Sequence, residues 1–439
     1  MRFIFADSLD TVDPGYDFLA DRNAPERALH WDDQYPHELM FTPPYDGVLV
    51  SRAVVGDRRP GGKYTAAQAM RFRRLGARRF LRLDAKQFQD MPIFGDCGAF
   101  SYVTEEVPPY TPSDMLEFYA DAGFTHGCSV DHIIFDFDRE ESGPAAGSED
   151  ARRRYDITLT NAEEFFRLSK GLGPGFTPLG VAQGWSASSI GESASRLEAM
   201  GYNYIAIGGL VPLRAEDIHR CLAVIRERLS ASTRIHLLGF AKAEQIDEFV
   251  RYGITSFDST SPLIRAFKDA RANYYLDGPS GLEYYAAIRI PQALENTRLL
   301  RGVKTGKLQQ EQLLALEIKT LAAVRKYGQE KVSLEEAVEA VAEYGSLLAP
   351  DASADNSFAR EKTRELIRQQ TRRTLEAQPW LRCKCRICSE LGIEVLIFRA
   401  SNRNKRRGFH NLSVFHEHVS KLLNKDIKSD EAQLSRRTG

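Results

Sequence analysis

Short apolar runs alternate with amphipathic stretches along the first 270 residues. Eight runs stand out, at 2–6, 47–51, 92–95, 132–135, 178–182, 204–207, 235–239 and 255–257. They are apolar at most positions rather than at every second one, as strands buried on both faces of a parallel sheet are. Between them, 65–75, 113–122, 161–170, 186–200, 215–229 and 243–252 place apolar residues at helical spacing. This alternation predicts parallel strands joined by crossover helices. Eight such units fit an α/β fold, a (β/α)8 TIM-like barrel, which typically takes about 250 residues. A doubly wound open sheet is the alternative, but no G-x-G-x-x-G follows the first run.

Beyond residue 270 the pattern becomes helical, at 281–287, 291–300, 309–327, 334–348 and 357–377. Leu313, Leu316, Ile318, Leu321 and Val324 form an apolar stripe that a core must cover. Residues 349–355 are small and polar and predict a loop. The expected organisation is a barrel over 1–270, a helical insertion over 271–377, a small cysteine-containing subdomain over 378–424 and a polar, frayed tail over 425–439.

Composition changes this picture little. The 439 residues are 43% hydrophobic and 27% charged, with a formal net charge of −1. Nothing global draws the chain to nucleic acid, so local patches must carry any such argument. The first residues lack a signal-length apolar region, and no apolar run approaches the roughly 20 residues of a membrane span. Cys97, Cys128 and Cys221 are scattered. These features lead to the expectation of a reducing cytoplasm and no membrane partner.

The other three cysteines are not scattered. Cys383, Cys385 and Cys388 form a C-x-C-x-x-C run, with histidines downstream at His410, His416 and His418. Three thiolates and one imidazole make a closed tetrahedral zinc site, structural because no position is left for water. His410 is the favoured fourth ligand. The intervening residues are expected to hold a strand over 392–398 and a basic turn over 401–408.

In such a barrel, reactive residues sit at the C-terminal ends of the strands. Those ends carry Asp96 to Phe100, Asp136, Gln183-Gly184, Gly208-Gly209-Leu210 and Asp258. Three carboxylates, an amide and a Gly-Gly backbone on one face suit chemistry at a glycosidic carbon beside a purine-like base. One carboxylate can attack the anomeric carbon and a second can shuttle the leaving group's proton. A third can accept from the N–H donors of a guanine edge, with Gln183 and the Gly209 N–H on the rest and Phe100 stacked on the face. The competing interpretation is that these aspartates cap helices.

These residues fall into a known order. Asp96-Cys97-Gly98-Ala99-Phe100, Phe135-Asp136, Val181-Ala182-Gln183-Gly184, Ile207-Gly208-Gly209-Leu210, Gly253 to Asp258, and the cysteines with His410-Asn411-Leu412 resemble the motifs of the tRNA-guanine transglycosylase superfamily. The resemblance implies Asp96 as general acid/base and Asp258 as nucleophile. It implies Asp136, with Gln183, Gly208, Gly209 and Leu210, as base-recognising residues and Phe100 as the aromatic covering the base. It also implies zinc held by Cys383, Cys385, Cys388 and His410. Departures are Cys97 for the family's serine, Ala99 for its second glycine, and Ser259 to Leu263 where tRNA-modifying members carry Pro-Thr-Arg.

The roughly one hundred residues between Asp258 and Cys383, with the opening Phe5-Ala6-Asp7-Ser8, resemble the DpdA branch. That branch is proposed to insert 7-deazaguanine bases such as preQ0 into DNA, so DNA, a free 7-deazaguanine base and further proteins of a DNA-modification system are the implied partners. A tRNA substrate, a catalytically inactive nucleic-acid-binding barrel and a zinc hydrolase are the competing interpretations. The hydrolase lacks H-E-x-x-H and an open metal position. Arg403, Lys405, Arg406 and Arg407 are expected to hold phosphates, with Arg71 to Arg82 and Arg364 to Arg373 as further basic clusters.

Overall fold

The computed structural model describes residues 1–56, 62–139, 147–242, 245–348 and 357–437, with backbone alone for 357–359 and 423–437. Eight parallel strands close into a barrel in sequence order. They are β1 (Arg2–Ala6), β2 (Gly47–Ser51), β3 (Ile93–Asp96), β4 (His126–Cys128), β5 (Thr177–Ala182), β6 (Tyr204–Ile207), β7 (Arg234–Leu237) and β8 (Ser256–Ser259). The barrel closes through β1 and β8, with Ile4 opposite Asp258. Its interior is filled by Ile4, Leu49, Phe94, Cys128, Leu179, Val181, Tyr204 and Ala206, all buried. The fold is therefore the expected TIM-like α/β barrel.

Seven of the eight runs lie on strands. The fourth does not: β4 is His126–Cys128, six residues before the expected 132–135. It carries little apolar signal because Gly127 lies against the Tyr119 ring, where a Cβ would stand 2.5 Å from ring carbons. Residues 130–134 are buried but outside the ladder. Their backbone is met by side chains instead. His132 N–H donates to Thr158 Oγ1 at 2.9 Å, and the Arg154 guanidinium donates to the carbonyl of Ile133 at 3.1 Å. The apolar pattern recorded burial, not strand pairing.

The barrel belongs to a compact unit of Met1–Leu9, Tyr45–Ser261 and Lys421–Gly439. A second unit combines Asp10–Pro44 with Pro262–Ser420. Residues expected as a helical insertion begin with an antiparallel hairpin, β9 (Tyr274–Gly278) and β10 (Gly281–Tyr285), rather than a helix over 281–287. The helix expected over 291–300 begins at Thr297 and runs to Lys304, with Asn296 as its cap. The helices Gln310–Gly328, Leu334–Ser346 and Ser357–Ala377 follow the expected pattern. The loop expected at 349–355 lies outside the described residues.

Residues 392–398 form a 3-10 turn, Gly392–Leu396, and only a two-residue strand, Ile397–Phe398. The basic turn expected at 401–408 is instead the start of a long helix, Ser401–Arg437, which also takes in most of the expected tail. No helix among the described residues is long and apolar enough to cross a membrane.

Candidate active site

The C-terminal ends of the barrel strands surround a cavity of about 370 Å³, within the range of small-molecule sites. Asp96, Gly98, Phe100, Gln183, Gly208, Gly209 and Asp258 line it, as expected from the strand ends. Leu210 is buried but does not line the cavity. Phe100 is 56% exposed and its ring stands 5.8 Å from that of Phe135, a second exposed aromatic.

The acid opposite Asp96 is Asp131, not Asp136. Asp131 is buried and lines the cavity. Gln183 donates Nε2–H to its Oδ2 at 2.7 Å, and the Cys97 thiol donates to its Oδ1 at 3.2 Å. Tyr102 braces this corner by donating to the Asp131 carbonyl at 2.9 Å. Asp136 is exposed, accepts from Ser148 Oγ at 3.1 Å and does not line the cavity. The displacement follows from β4: with the strand six residues earlier, the acid following it moves upstream too.

Gln183 can reach across to Asp131 because Gly208 and Gly209 have no side chains. A Cβ on Gly208 would stand 2.2 Å from Gln183 Nε2. Gly209 has a φ of +73°, which favours glycine, and a Cβ there would stand 3.0 Å from Gln183 Oε1. The Gly-Gly pair is therefore the space that the amide occupies.

The two other carboxyl groups differ in environment. Asp96 accepts from the Gly98 N–H at 3.0 Å. Burial, then the charges of Asp131 and Asp258, push its carboxyl up to about 7. A carboxylic acid near neutrality can give a proton and take it back. Burial also pushes Asp131 up, opposed by the bonds from Gln183 and Cys97. Asp258, on β8, is held at Oδ1 by the Gly239 N–H at 2.9 Å and by His236 Nε2 at 3.2 Å.

In the second unit, Nδ1 of His410 faces three sulfurs, at 3.6 Å from Cys383, 3.3 Å from Cys385 and 3.4 Å from Cys388. All four ligand atoms lie within 4.8 Å of one another, so this set can hold a metal ion. His410 Nε2–H donates to the Tyr275 carbonyl at 2.8 Å, which fixes the tautomer with Nδ1 free to ligate. Tyr274 stacks on the His410 ring at 4.1 Å and places its hydroxyl 3.1 Å from Cys388 Sγ. The alternative ligand His418 instead meets Asp277 at 3.2 Å.

The basic residues before His410 are not a phosphate-binding surface. Arg403, Arg406 and Arg407 are buried. Arg403 pairs with Asp21 and Glu394 and donates to the Phe18 carbonyl. Arg406 donates to the Asp13 carbonyl at 2.7 Å. Arg407 donates to the carbonyls of Ala266 and Val395 and to Asn404 Oδ1. Lys405 donates to the Thr11 carbonyl at 3.3 Å. Helical periodicity turns this run inward, where the guanidinium groups satisfy carbonyls that no ladder reaches. Arg364, Arg368 and Arg372 likewise pair with Glu339 and Glu335.

The family model for queuine tRNA-ribosyltransferase matches residues 130–282. A DNA-guanine transglycosylase of Salmonella montevideo is 42% identical over 426 residues, covering 96% of this chain and 97% of that one. The chain belongs to the tRNA-guanine transglycosylase superfamily, in its DpdA-like branch. Queuine tRNA-ribosyltransferases of Xanthomonas campestris pv. campestris and Shewanella loihica are 30% and 32% identical. Those matches cover 33% and 30% of this chain and 37% and 35% of theirs.

The protein is thus a transglycosylase acting on guanine. Two groups at the site of this transglycosylase were not singled out in its sequence: Asp131, which lines the cavity, and His236, which is buried beneath it. Asp131 was hidden by the misplaced fourth strand, although it is the first carboxylate after His126–Cys128. His236 lay within a run read as wholly structural, and only the pairing of His236 with Ser256 across β7 and β8 brings it beneath Asp258.

Proposed function

We propose that this transglycosylase replaces guanine in DNA with a 7-deazaguanine base such as preQ0, through a covalent deoxyribosyl ester on Asp258. The observation that carries the DNA substrate is the likeness to a DNA-guanine transglycosylase over 96% of the chain, against about a third for the tRNA enzymes.

A target guanine in a duplex is first turned out of the stack, which costs a few kcal/mol. It enters the cavity under Phe100. Its edge, shared with 7-deazaguanine, donates to Asp131 and meets Gln183 and the Gly209 backbone. The carboxylate of Asp131 has acceptor sites beyond those that Gln183 and Cys97 use. The carboxylate of Asp258 attacks C1′ and the C1′–N9 bond breaks. The electron pair leaves with guanine, and Asp96 supplies its proton. The incoming base then gives its ring N–H proton to Asp96, and the nitrogen displaces the Asp258 ester. Protons and charges balance over the two halves, so the exchange itself needs no nucleotide hydrolysis.

The metal is proposed to be a structural zinc. With Zn–S of about 2.3 Å and Zn–N of about 2.0 Å in a tetrahedron, the N···S edge is about 3.5 Å. The three measured edges are 3.6, 3.3 and 3.4 Å. Cys383, Cys385, Cys388 and His410 would fill all four positions, so the ion would fasten this unit together and supply no chemistry.

A tRNA substrate remains the second reading, favoured by the family match over residues 130–282. Incubating the protein with DNA, tRNA and labelled preQ0 separates the two. The label is expected in DNA; label in tRNA alone would overturn the DNA assignment.

A further inference from the structure

Beneath Asp258 lies a chain of buried polar side chains to which no role has been given. Tyr204 Oη is 2.5 Å from Ser256 Oγ, and Ser256 Oγ is 2.6 Å from His236 Nδ1. His236 Nε2 is 3.2 Å from Asp258 Oδ1. His236 and Ser256 are completely buried and Tyr204 is nearly so. The imidazole is clamped by the Phe94 ring, stacked at 5.2 Å and 23°. Three linked polar groups in the floor of a barrel filled mainly by apolar side chains need a reason, because burying them is costly unless every group is paired.

Their hydrogen bonds run in one direction. The ionised nucleophile can only accept, so His236 Nε2 carries the proton. In the neutral ring Nδ1 then accepts, and Ser256 Oγ–H gives to it. Ser256 Oγ in turn accepts from the Tyr204 hydroxyl. Each group is satisfied with an uncharged imidazole, and the tautomer is set from below.

Both donors to Asp258 meet the same oxygen. The Gly239 N–H and His236 Nε2–H converge on Oδ1, and among the described residues no hydrogen bond is made to Oδ2. We infer that His236 is a positioning residue: with Gly239 it locks Oδ1 of Asp258, so that Oδ2 is the oxygen that attacks C1′. Tyr204 and Ser256 hold His236 in the donating tautomer. This inference rests on the proposal that Asp258 is the nucleophile. The transferred bond forms between Oδ2 and C1′ as C1′–N9 breaks, and His236 keeps its proton throughout.

The test follows the single-turnover release of labelled guanine from DNA, with DNA affinity and thermal midpoint measured on the same variants. His236→Ala is expected to slow release about 10²-fold, the cost of a nucleophile misplaced by about 1 Å, with DNA affinity unchanged. His236→Gln keeps a donor at the Nε2 position and is expected to recover most of the rate, whereas His236→Phe, of similar bulk, is not. A structural role alone would make Gln and Phe equivalent, and that result overturns the inference. So does wild-type release by His236→Ala while Asp258→Asn is inactive, which leaves the nucleophile standing. Wild-type release by Asp258→Asn would remove the nucleophile and the inference together.

Discussion

Gln183 donates its side-chain amide to the Asp131 carboxylate at 2.7 Å, across the space left by Gly208. This bond gathers three separate strand ends, after β4, β5 and β6, around one carboxylate. It also makes Asp131, rather than the exposed Asp136, the acid available to a base in the cavity.

Exchanging the two carboxylates for amides tests that assignment. Asp131→Asn is expected to lower kcat/KM for the free base by about 10²-fold, since it replaces a buried charged acceptor with a group that can also donate. Asp136→Asn is expected to leave it unchanged. Steady-state kinetics with varied free base checks both.

The raised Asp96 carboxyl gives a pH dependence with a definite sign. In the proposed mechanism guanine departure needs protonated Asp96, so single-turnover release should fall as pH rises through about 7. Stability should follow the same direction. A group whose pKa is higher folded than unfolded contributes stability that is full below the unfolded value and lost as pH rises through the folded one. The thermal midpoint of the wild type should therefore decline relative to Asp96→Asn from about pH 4 to pH 7 and then run parallel to it.

The buried arginines predict a stability effect without a binding effect. Arg407→Met leaves the Ala266 and Val395 carbonyls and Asn404 Oδ1 without their donor. A loss of about 3 kcal/mol is expected in denaturant unfolding. The salt dependence of DNA binding should not change, whereas loss of a phosphate contact would reduce its slope by about 1.

The cysteine-histidine set predicts one zinc per chain by elemental analysis. Removing the ion with a chelator, or replacing Cys388 by serine, should lower the thermal midpoint of the unit containing Pro262–Ser420. Because no chemistry is assigned to the ion, residual folded enzyme should keep its kcat.

Much of this was legible in the sequence, and the exceptions share a cause. Both-face apolar runs gave seven barrel strands, because burial and ladder pairing coincide there. They separated at the fourth, where the paired strand is His126-Gly127-Cys128 and the backbone of the buried residues 132–134 is held by Thr158, Arg154 and Gln183 instead. The cysteine run pointed to a set that can hold a metal ion because the spacing of the three thiols is local. The arginines before His410 misled because a charge run in sequence does not say which way a helix faces. His236 was invisible because its meaning depends on Ser256 and Asp258, neighbours only across the barrel.

The central claim is base exchange in DNA through an ester on Asp258. Its most direct test is mass spectrometry of the protein after acid quench with a guanine-containing DNA oligonucleotide and no competing base. The account predicts a DNA adduct that peptide mapping places on the peptide carrying Asp258, absent in Asp258→Asn. Turnover in the same preparation with no adduct, or an adduct on another residue, would contradict it.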